Sequence, residues 1–309
     1  MRTTLLILLF TIVAYSAEPI APLPFKENYN QEKAKLGMEL FSDTILSKDY
    51  STSCLSCHNI FEGGADSRVV SEGFASKKGN IQSPTVFNAK YNFRQFWNGR
   101  AKNLLEQADG PINNPAEHNM NAQEVEKRIN NSQNYKEKFK KVYGVNTIPY
   151  ALVLDAIVEF ENALTTPNSK FDKFLRGEVV LSKDEKEGYI IFKKYACVTC
   201  HNGINIGGNS FQKMGTFQEY KNRSKFPDRS EVTNNKDSIN VFKVPTLRNI
   251  AHTAPYFHDG SAKTFKDAID KMSKNNLGIE FTDDQTKKII KFLETLTGEK
   301  PKILDEYGK

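Results

Sequence analysis

The chain has 309 residues, of which 39% are hydrophobic and 26% are charged, a balance typical of a soluble globular protein and not of a disordered or membrane protein. The formal net charge is +6, from 43 basic and 37 acidic residues that are interleaved along the chain. This mild excess does not suit a nucleic-acid-binding protein, and the length predicts about two domains.

The first 17 residues have the pattern of a secretory signal peptide. Arg2 precedes an apolar run at residues 5–13, and small residues follow up to Ala17. The apolar run is short for a membrane span, so we expect a cleaved signal peptide at residues 1–17, with a retained anchor as the alternative. The proline-containing residues 18–29 predict an extended segment ahead of the first helix.

Two five-residue motifs contain all four cysteines of the chain. In each, two cysteines are separated by two residues and followed directly by a histidine: Cys54, Cys57 and His58 in the first motif, and Cys197, Cys200 and His201 in the second. This spacing attaches a c-type haem, whose vinyl groups bond to the cysteines while the histidine ligates the iron. Two disulfides, the alternative, would not explain the histidines. We therefore predict two covalently bound haem c groups and, after export, a periplasmic location.

The two motifs lie in two similar units. Two sequence echoes occupy equivalent places around them: Gly37 and Phe41 match Gly188 and Phe192, and residues 157–165 match residues 289–297. The echoes predict a mainly α fold with two cytochrome c-like domains, long loops and little strand, although shared helical periodicity is the alternative explanation. We place the N-terminal domain at residues 18–166, the C-terminal domain at residues 167–298 and a tail at residues 299–309.

The second half offers two methionines as a further iron ligand. A haem that transfers electrons takes two strong axial ligands, whereas a haem that reacts with a small molecule keeps one face open. Met272 ends a predicted helical stretch late in its unit, and we favour it over Met214. A lone methionine is nevertheless more often a core residue.

The first half contains the segment with the most chemistry. Glu117 follows the turn-forming residues 113–115, which could hold a carboxylate over an open haem face as a general acid and base. Gln107 could hydrogen-bond a polarised oxygen. Trp97, the only tryptophan, is either a packing residue or an electron conduit between two redox centres. A solvated surface carboxylate is the alternative interpretation of Glu117.

Together these motifs resemble the bacterial dihaem cytochrome c peroxidases over nearly all of the mature chain. The resemblance is carried by the two haem motifs, residues 84–89, residues 96–101, Gln107, Gly110, Pro111, residues 114–117, residues 242–249 and residues 253–260. It implies the reduction of hydrogen peroxide to water with electrons from a small periplasmic cytochrome c or a cupredoxin. It also implies a homodimer.

The resemblance implies a role for each haem. The His58 haem is the peroxidatic site, with Gln107 and Glu117 on its distal side. The His201 haem receives the electrons and has Met272 as its second ligand. Trp97 lies between the two haems, and a calcium ion at the domain interface is held by Gln82, Thr253 and Pro255, largely through carbonyl oxygens and water.

Two positions depart from the family pattern. Gln82 stands where many relatives have asparagine, and its longer amide still offers an oxygen. Phe74 stands where many relatives have a histidine that caps the peroxidatic haem in the resting oxidised enzyme. Because phenylalanine cannot ligate iron, we expect the first haem to be active without prior reduction of the second.

Two other functions remain open. A dihaem electron carrier would need both haems but would have no use for Gln107 and Glu117. The related dihaem enzymes that oxidise a tryptophan on a partner protein resemble this chain less, because they place tyrosine where Met272 stands.

Overall fold

The computed structural model describes residues 18–25, 28–221 and 228–308. The predicted signal peptide at residues 1–17 lies outside the described residues. The described chain is mainly helical, and its two strands, β1 (Phe211–Lys213) and β2 (Val241–Lys243), pair antiparallel. The predicted mainly α fold with little strand is confirmed. No helix in the described ranges is long and apolar enough to cross a membrane.

The α-helices of the described chain follow one another with long loops between some of them. In chain order they are α1 (Gln31–Ser42), α2 (Leu104–Asn113), α3 (Ala122–Asn131), α4 (Gln133–Tyr143), α5 (Tyr150–Ala163), α6 (Lys170–Leu175), α7 (Lys183–Lys194), α8 (Arg229–Thr233), α9 (Phe265–Met272) and α10 (Asp283–Glu294). Polar N-caps set several of their starts. Asn30 accepts a hydrogen bond from the backbone of Lys33 at the start of α1, and Ser182 forms a capping box with Glu185 at the start of α7.

Two helix crossings organise the two halves. Helix α1 crosses α5 in the first half, and α7 crosses α10 in the second. At each crossing a glycine lies directly on the backbone of the partner helix. A Cβ atom on Gly37 would lie 1.8 Å from the carbonyl oxygen of Ala156, and one on Gly188 would lie 2.0 Å from that of Lys288. Only a residue without a Cβ allows the helices to approach so closely.

The aromatic packing around each crossing is also repeated. The ring-centroid distances are 5.2 Å for Phe41 to Phe160, 5.2 Å for Phe192 to Phe292, 6.4 Å for Phe41 to His58 and 6.4 Å for Phe192 to His201. The two sequence echoes therefore describe one arrangement made twice, a crossed helix pair beside a haem motif. The prediction of two cytochrome c-like regions is confirmed.

A third sequence echo, which we did not predict, lies in the loops after the haem motifs. Residues 84–101 match residues 245–262, and the backbone follows the same path in both. The left-handed φ angles are 60° and 59° at Asn88 and Asn249, 65° and 70° at Phe96 and Phe257, and 66° and 59° at Gly99 and Gly260. The signal was present in the sequence as two Pro-Thr-x-x-Asn segments, each followed by Phe-x-x-Gly.

Both ends of the chain pack on the half to which they do not belong in sequence. Ile20 forms a parallel bridge with Gly203 and is buried among core residues of the second half. Ile303 and Leu304, in the C-terminal tail, are buried in the core of the first half. Of the segment before α1, residues 18–25 therefore pack on the second half through Ile20 and Leu23. The division of the chain at residues 166 and 167 stays a prediction.

Candidate functional site

Each haem motif lies on a tight turn that follows the first helix of its unit. The turns span Cys54–Ser56 and Cys197–Thr199, and each histidine amide donates a 3.0 Å hydrogen bond to the carbonyl oxygen of the first cysteine. All four cysteines are free and half-buried. Two disulfides, the alternative explanation of the cysteines, are therefore absent, and the thiols are available for attachment of haem.

The two motif histidines have the same surroundings. Burial lowers the pKa of His58 and lowers that of His201 to about 4, so both rings are neutral, the form that ligates iron. The Nδ1 atoms of both rings are buried and have no hydrogen-bond partner in the described chain. The backbone carbonyl group of Pro84 acts to raise the pKa of His58, and that of Pro245 acts to raise the pKa of His201. These two prolines hold matching positions in the third echo. A haem-ligating histidine typically donates its other N–H to such a carbonyl, so both sites fit a haem.

A cavity of about 460 Å³ opens beside the second motif. Its walls include the motif itself and residues from α7, α9, α10 and β2, among them Phe192, Met214, Lys243, Met272 and Leu293. Lys243 is 7% exposed, and burial lowers the pKa of its ammonium group to about 8. A buried cation needs an anionic partner. Apolar walls with one buried cation fit a porphyrin that carries propionate groups.

Both candidate methionine ligands line this cavity. Met272 is the last residue of α9, and a π-helical turn, Ser273–Leu277, follows it. The Asn276 side chain in that turn accepts a 3.0 Å hydrogen bond from the amide of Gly215, which ties the Met214 loop to the Met272 turn. The structure therefore brings His201 and both methionines to one cavity, and the role of Met272 stays a prediction.

Glu117 lies in the turn predicted from the sequence. Asn114 holds this turn, because its side chain donates a 2.5 Å hydrogen bond to Oε1 of Glu117 and accepts one of 3.0 Å from the amide of Ala116. Burial raises the pKa of the Glu117 carboxyl, while the Asn114 hydrogen bond and the charge of Arg100 oppose that rise. The negative charge of Glu117 also raises the pKa of the Cys57 thiol. The carboxyl group is therefore part of the first centre.

Residues 96–117 form one packed unit that leads to this turn. The guanidinium group of Arg100 stacks 3.4 Å from the centroid of the Phe96 ring. A Cβ atom on Gly110 would lie 3.1 Å from the same ring, so α2 packs directly on Phe96. Gln107 is half-buried on α2, whose C-terminal end leads straight into the Glu117 turn.

The loop of residues 71–79 packs on the Glu117 turn. A Cβ atom on Gly73 would lie 2.3 Å from the carbonyl oxygen of Ala116. The Lys77 ammonium group donates a 3.1 Å hydrogen bond to the carbonyl oxygen of Pro115. Phe74, which is half-buried, thus lies beside the Glu117 turn.

Trp97 connects the two halves. Its indole N–H donates a 2.9 Å hydrogen bond to the carbonyl oxygen of Gln82, and its ring lines the cavity of the second centre. Gln82, Thr253 and Pro255, the predicted calcium ligands, line the same cavity. Gln82 is 3% exposed, and its backbone N–H donates a 2.8 Å hydrogen bond to the backbone carbonyl oxygen of His258. In the described ranges, no three His, Cys, Asp or Glu residues group as a metal site.

Comparisons with known proteins agree with these two centres. Residues 31–180 match the family described as di-haem cytochrome c peroxidase, and residues 185–297 match the cytochrome c family. The chain is 47% identical to the cytochrome c551 peroxidase of Nitrosomonas europaea, over 92% of this chain and 85% of the relative. It is 38% identical to the cytochrome c551 peroxidase of Pseudomonas aeruginosa, over 89% of this chain and 81% of the relative.

The fold agrees with the sequence matches. The crystal structure of a MauG-like protein associated with microbial copper homeostasis superposes with a TM-score of 0.77 at 24% identity, and covers 94% of this chain and 96% of that chain. At this low identity, the superposition supports the fold alone. Taken with the two curated relatives, the family matches lead to one conclusion: the chain belongs to the di-haem cytochrome c peroxidase family.

Proposed function

We propose that this protein is a periplasmic cytochrome c peroxidase, which reduces hydrogen peroxide to two molecules of water with two electrons from a small cytochrome c or a cupredoxin. Membership of the family supports the class of reaction. Within the molecule, the proposal rests on the half-buried Glu117 carboxyl, which Asn114 holds in its turn and whose charge acts on the Cys57 thiol of the first haem motif.

The chemistry at the first centre divides between the haem and the protein. His58 would hold the haem iron, and the haem would supply the electrons for cleavage of the O–O bond. Glu117 accepts the proton of one peroxide oxygen and returns it to the other, so that the leaving oxygen departs as water. Its raised pKa suits a group that must both accept and donate a proton near neutral pH. Gln107 donates a hydrogen bond to the polarised oxygen.

We assign the reception of electrons to the second centre. His201 and Met272, which line one cavity, would hold the haem iron there. A thioether ligand would raise the reduction potential of this haem, as suits a centre that receives electrons. Met214, on the same cavity, is the alternative ligand. Trp97 conducts electrons between the centres. Its place on the cavity wall and its hydrogen bond to Gln82 support this role.

A calcium ion and a dimer complete the proposal. Gln82, Thr253 and Pro255 share one cavity wall and offer amide and carbonyl oxygens, the ligands that calcium prefers. Removal of calcium with a chelator should lower the melting temperature and the rate of electron transfer between the haems. We expect a homodimer, which light scattering of the holoprotein would test by its mass.

A Glu117→Gln variant tests the function directly. The amide keeps the shape of the side chain but cannot carry a proton between the two oxygens. We expect peroxide turnover to fall by roughly 10²- to 10⁴-fold, while both haems are still attached and still reduced by the donor. Glu137→Gln, on the exposed face of α4, is the matched control and should keep full turnover.

The competing function makes the opposite forecast. A dihaem electron carrier would show no peroxide turnover in the wild type, and Glu117→Gln would leave its electron transfer unchanged. Full turnover in Glu117→Gln would remove Glu117 from the mechanism.

A further inference from the structure

Glu161 occupies a position on α5 that a leucine occupies in the second half. Phe160 and Phe292 are equivalent, because each packs on the glycine of its helix crossing: their Cβ atoms lie 2.9 Å from the positions of a Cβ on Gly37 and on Gly188. Glu161 is therefore the counterpart of Leu293 on α10. Leu293 lines the cavity of the second centre together with Cys197 and His201. The Glu161 side chain is thus directed at the first haem site.

One oxygen of the Glu161 carboxyl is buried without a partner in the described chain. The residue is 4% exposed, and its Oε2 atom is buried without a hydrogen bond in the described chain. Burial alone raises the pKa of this carboxyl to about 8. A buried, unpaired carboxylate is costly, so without a positive charge nearby the group is a neutral acid at pH 7. Leucine, the residue at the matching position, would avoid this cost.

Glu161 faces the haem-attaching turn. Among charged groups, it has the largest effect on the pKa of the Cys54 thiol, which burial and the Glu161 charge raise; Glu117 adds a smaller effect of the same sign. Once haem is attached, Cys54 is a thioether and does not titrate. The carboxyl groups at the first centre then include Glu161, Glu117 and Asp66, whose charge acts on the Cys57 thiol and on His58. Asp66 is paired with Arg68.

Within the described ranges, no charged group is bonded to Glu161. Helices α1, α2 and α3 and the turns at Ala89–Tyr91 and Lys302–Glu306 pack on α5, and the charged side chains among them that form bonds do so with other residues. In the last of these turns, Glu306 pairs with Lys35 and Asp305 pairs with Lys300. Lys33 pairs with Asp155, Asp109 and Glu126 both bond to Tyr150, and Lys90 bonds to the carbonyl oxygen of Asn162. No described charge therefore offsets the burial of Glu161, and the charge of a haem held at the first motif would act on it directly.

We propose that Glu161 is a redox-linked proton acceptor at the first haem. When one electron arrives at the oxidised first haem, the Glu161 carboxylate takes up one proton from solvent and becomes a carboxylic acid. When that electron leaves, Glu161 returns the proton. The uptake matches one electron with one proton and supplies part of the two protons that peroxide reduction consumes. The inference needs haem at the first motif but does not depend on the peroxidase function.

The physical reason is electrostatic. The oxidised haem carries one more positive charge than the reduced haem, so it favours the ionised carboxylate nearby. Between the two resulting pKa values, the reduction potential of the first haem falls by about 59 mV for each tenfold decrease in proton concentration. The second haem, with Leu293 at the matching position, lacks this acceptor.

Spectroelectrochemical titration of the holoprotein, across a pH range that brackets the Glu161 pKa of about 8, tests the inference. We expect the potential of the first haem to fall with pH in the wild type. The slope should disappear in Glu161→Gln and in Glu161→Leu, which installs the residue of the second half. Glu159→Gln, on the same helix, is the matched control and should keep the slope. The redox difference infrared spectrum should lose one carboxylic acid band in both Glu161 variants.

Two results would overturn the inference. One is a wild-type slope that survives in Glu161→Leu but disappears in Glu117→Gln, which would make Glu117 the acceptor. The other is a potential that does not change with pH in the wild type. Peroxide turnover is measured separately, so absence of turnover in a wild type that shows the slope would refute the proposed function and leave this inference standing.

Discussion

The backbone amide of Phe74 donates a 2.7 Å hydrogen bond to the backbone carbonyl oxygen of Glu117. The loop that carries Phe74 and the turn that carries the proposed acid–base group are therefore fixed to one another. The family resemblance implies an iron-ligating histidine in this loop of many relatives. In this chain the loop carries Phe74, whose side chain has no ligand atom.

We therefore predict that the fully oxidised protein reacts with peroxide at its first haem. The expected electron paramagnetic resonance spectrum of that haem is high-spin, because no second strong ligand is bound. A Phe74→His variant should convert the signal to low-spin and make the peroxide reaction depend on prior reduction of the second haem. Phe61→His, at a 56% exposed site, should change neither.

A low-spin first haem in the oxidised wild type would contradict this prediction and would point to His118. That residue is buried, its Nδ1 has no partner within the described chain, and burial lowers its pKa to about 4, so its ring is neutral and able to ligate. A His118→Gln variant would then restore the high-spin signal.

The acid limb of the turnover profile should report Glu117. The carboxylate form accepts the first proton, so activity falls as the pH drops through a pKa that burial has raised above its ordinary value. Arg100 opposes that rise, so Arg100→Met should move the acid limb to higher pH. Lys102→Met removes an exposed positive charge nearby and should leave the profile in place. An unchanged pH profile in Arg100→Met would mean that the charge of Arg100 does not affect the pKa of Glu117.

The sequence predicted the parts of this site that depend on local chemistry. Spacing identifies Cys54 and Cys197 as haem anchors, and helical periodicity identifies α5 and α10 as equivalent. The third echo was missed because loops with left-handed backbone at Asn88 and Asn249 carry no periodicity. Glu161 lies in one of the repeated segments, but the sequence does not predict that its carboxyl is buried, because that burial depends on how α5 crosses α1. Tertiary contacts of this kind do not appear in a local pattern.

The glycine contacts predict paired defects. Gly37→Ala and Gly188→Ala each force a Cβ into a backbone carbonyl of the partner helix, so the helices must separate. We expect each variant to lose several kcal/mol of unfolding free energy, on the order of 3 kcal/mol. Gly79→Ala is the control, because the added Cβ would meet its nearest atom at 3.5 Å. Denaturant titration measures the loss, and unchanged stability in both variants would contradict the crossing geometry.

Lys243 predicts an electrostatic effect on the second haem. A buried cation on the cavity wall favours the reduced haem, which carries one positive charge fewer. Lys243→Met should therefore lower the reduction potential of the second haem by on the order of tens of millivolts and leave the first unchanged. Lys236→Met, at an exposed turn, should leave both potentials unchanged. A change in the potential of the first haem alone would mean that Lys243 acts on the first haem, which would contradict the prediction.

Glu161 also predicts how stability depends on pH. Its folded-state pKa of about 8 lies above that of an unfolded glutamate, so the folded state binds the proton more tightly. Its contribution to stability is fully present below the unfolded pKa and is lost as the pH rises through about 8. Glu161→Leu removes this loss. The stability of the variant relative to the wild type should therefore grow between these two pKa values, by at most about 1.4 kcal/mol per pH unit. Denaturant titrations at several pH values, on holoproteins whose first haem is reduced, measure the difference, with Glu159→Gln as control. A difference between Glu161→Leu and wild type that stays constant with pH would mean that Glu161 is ionised in the folded protein.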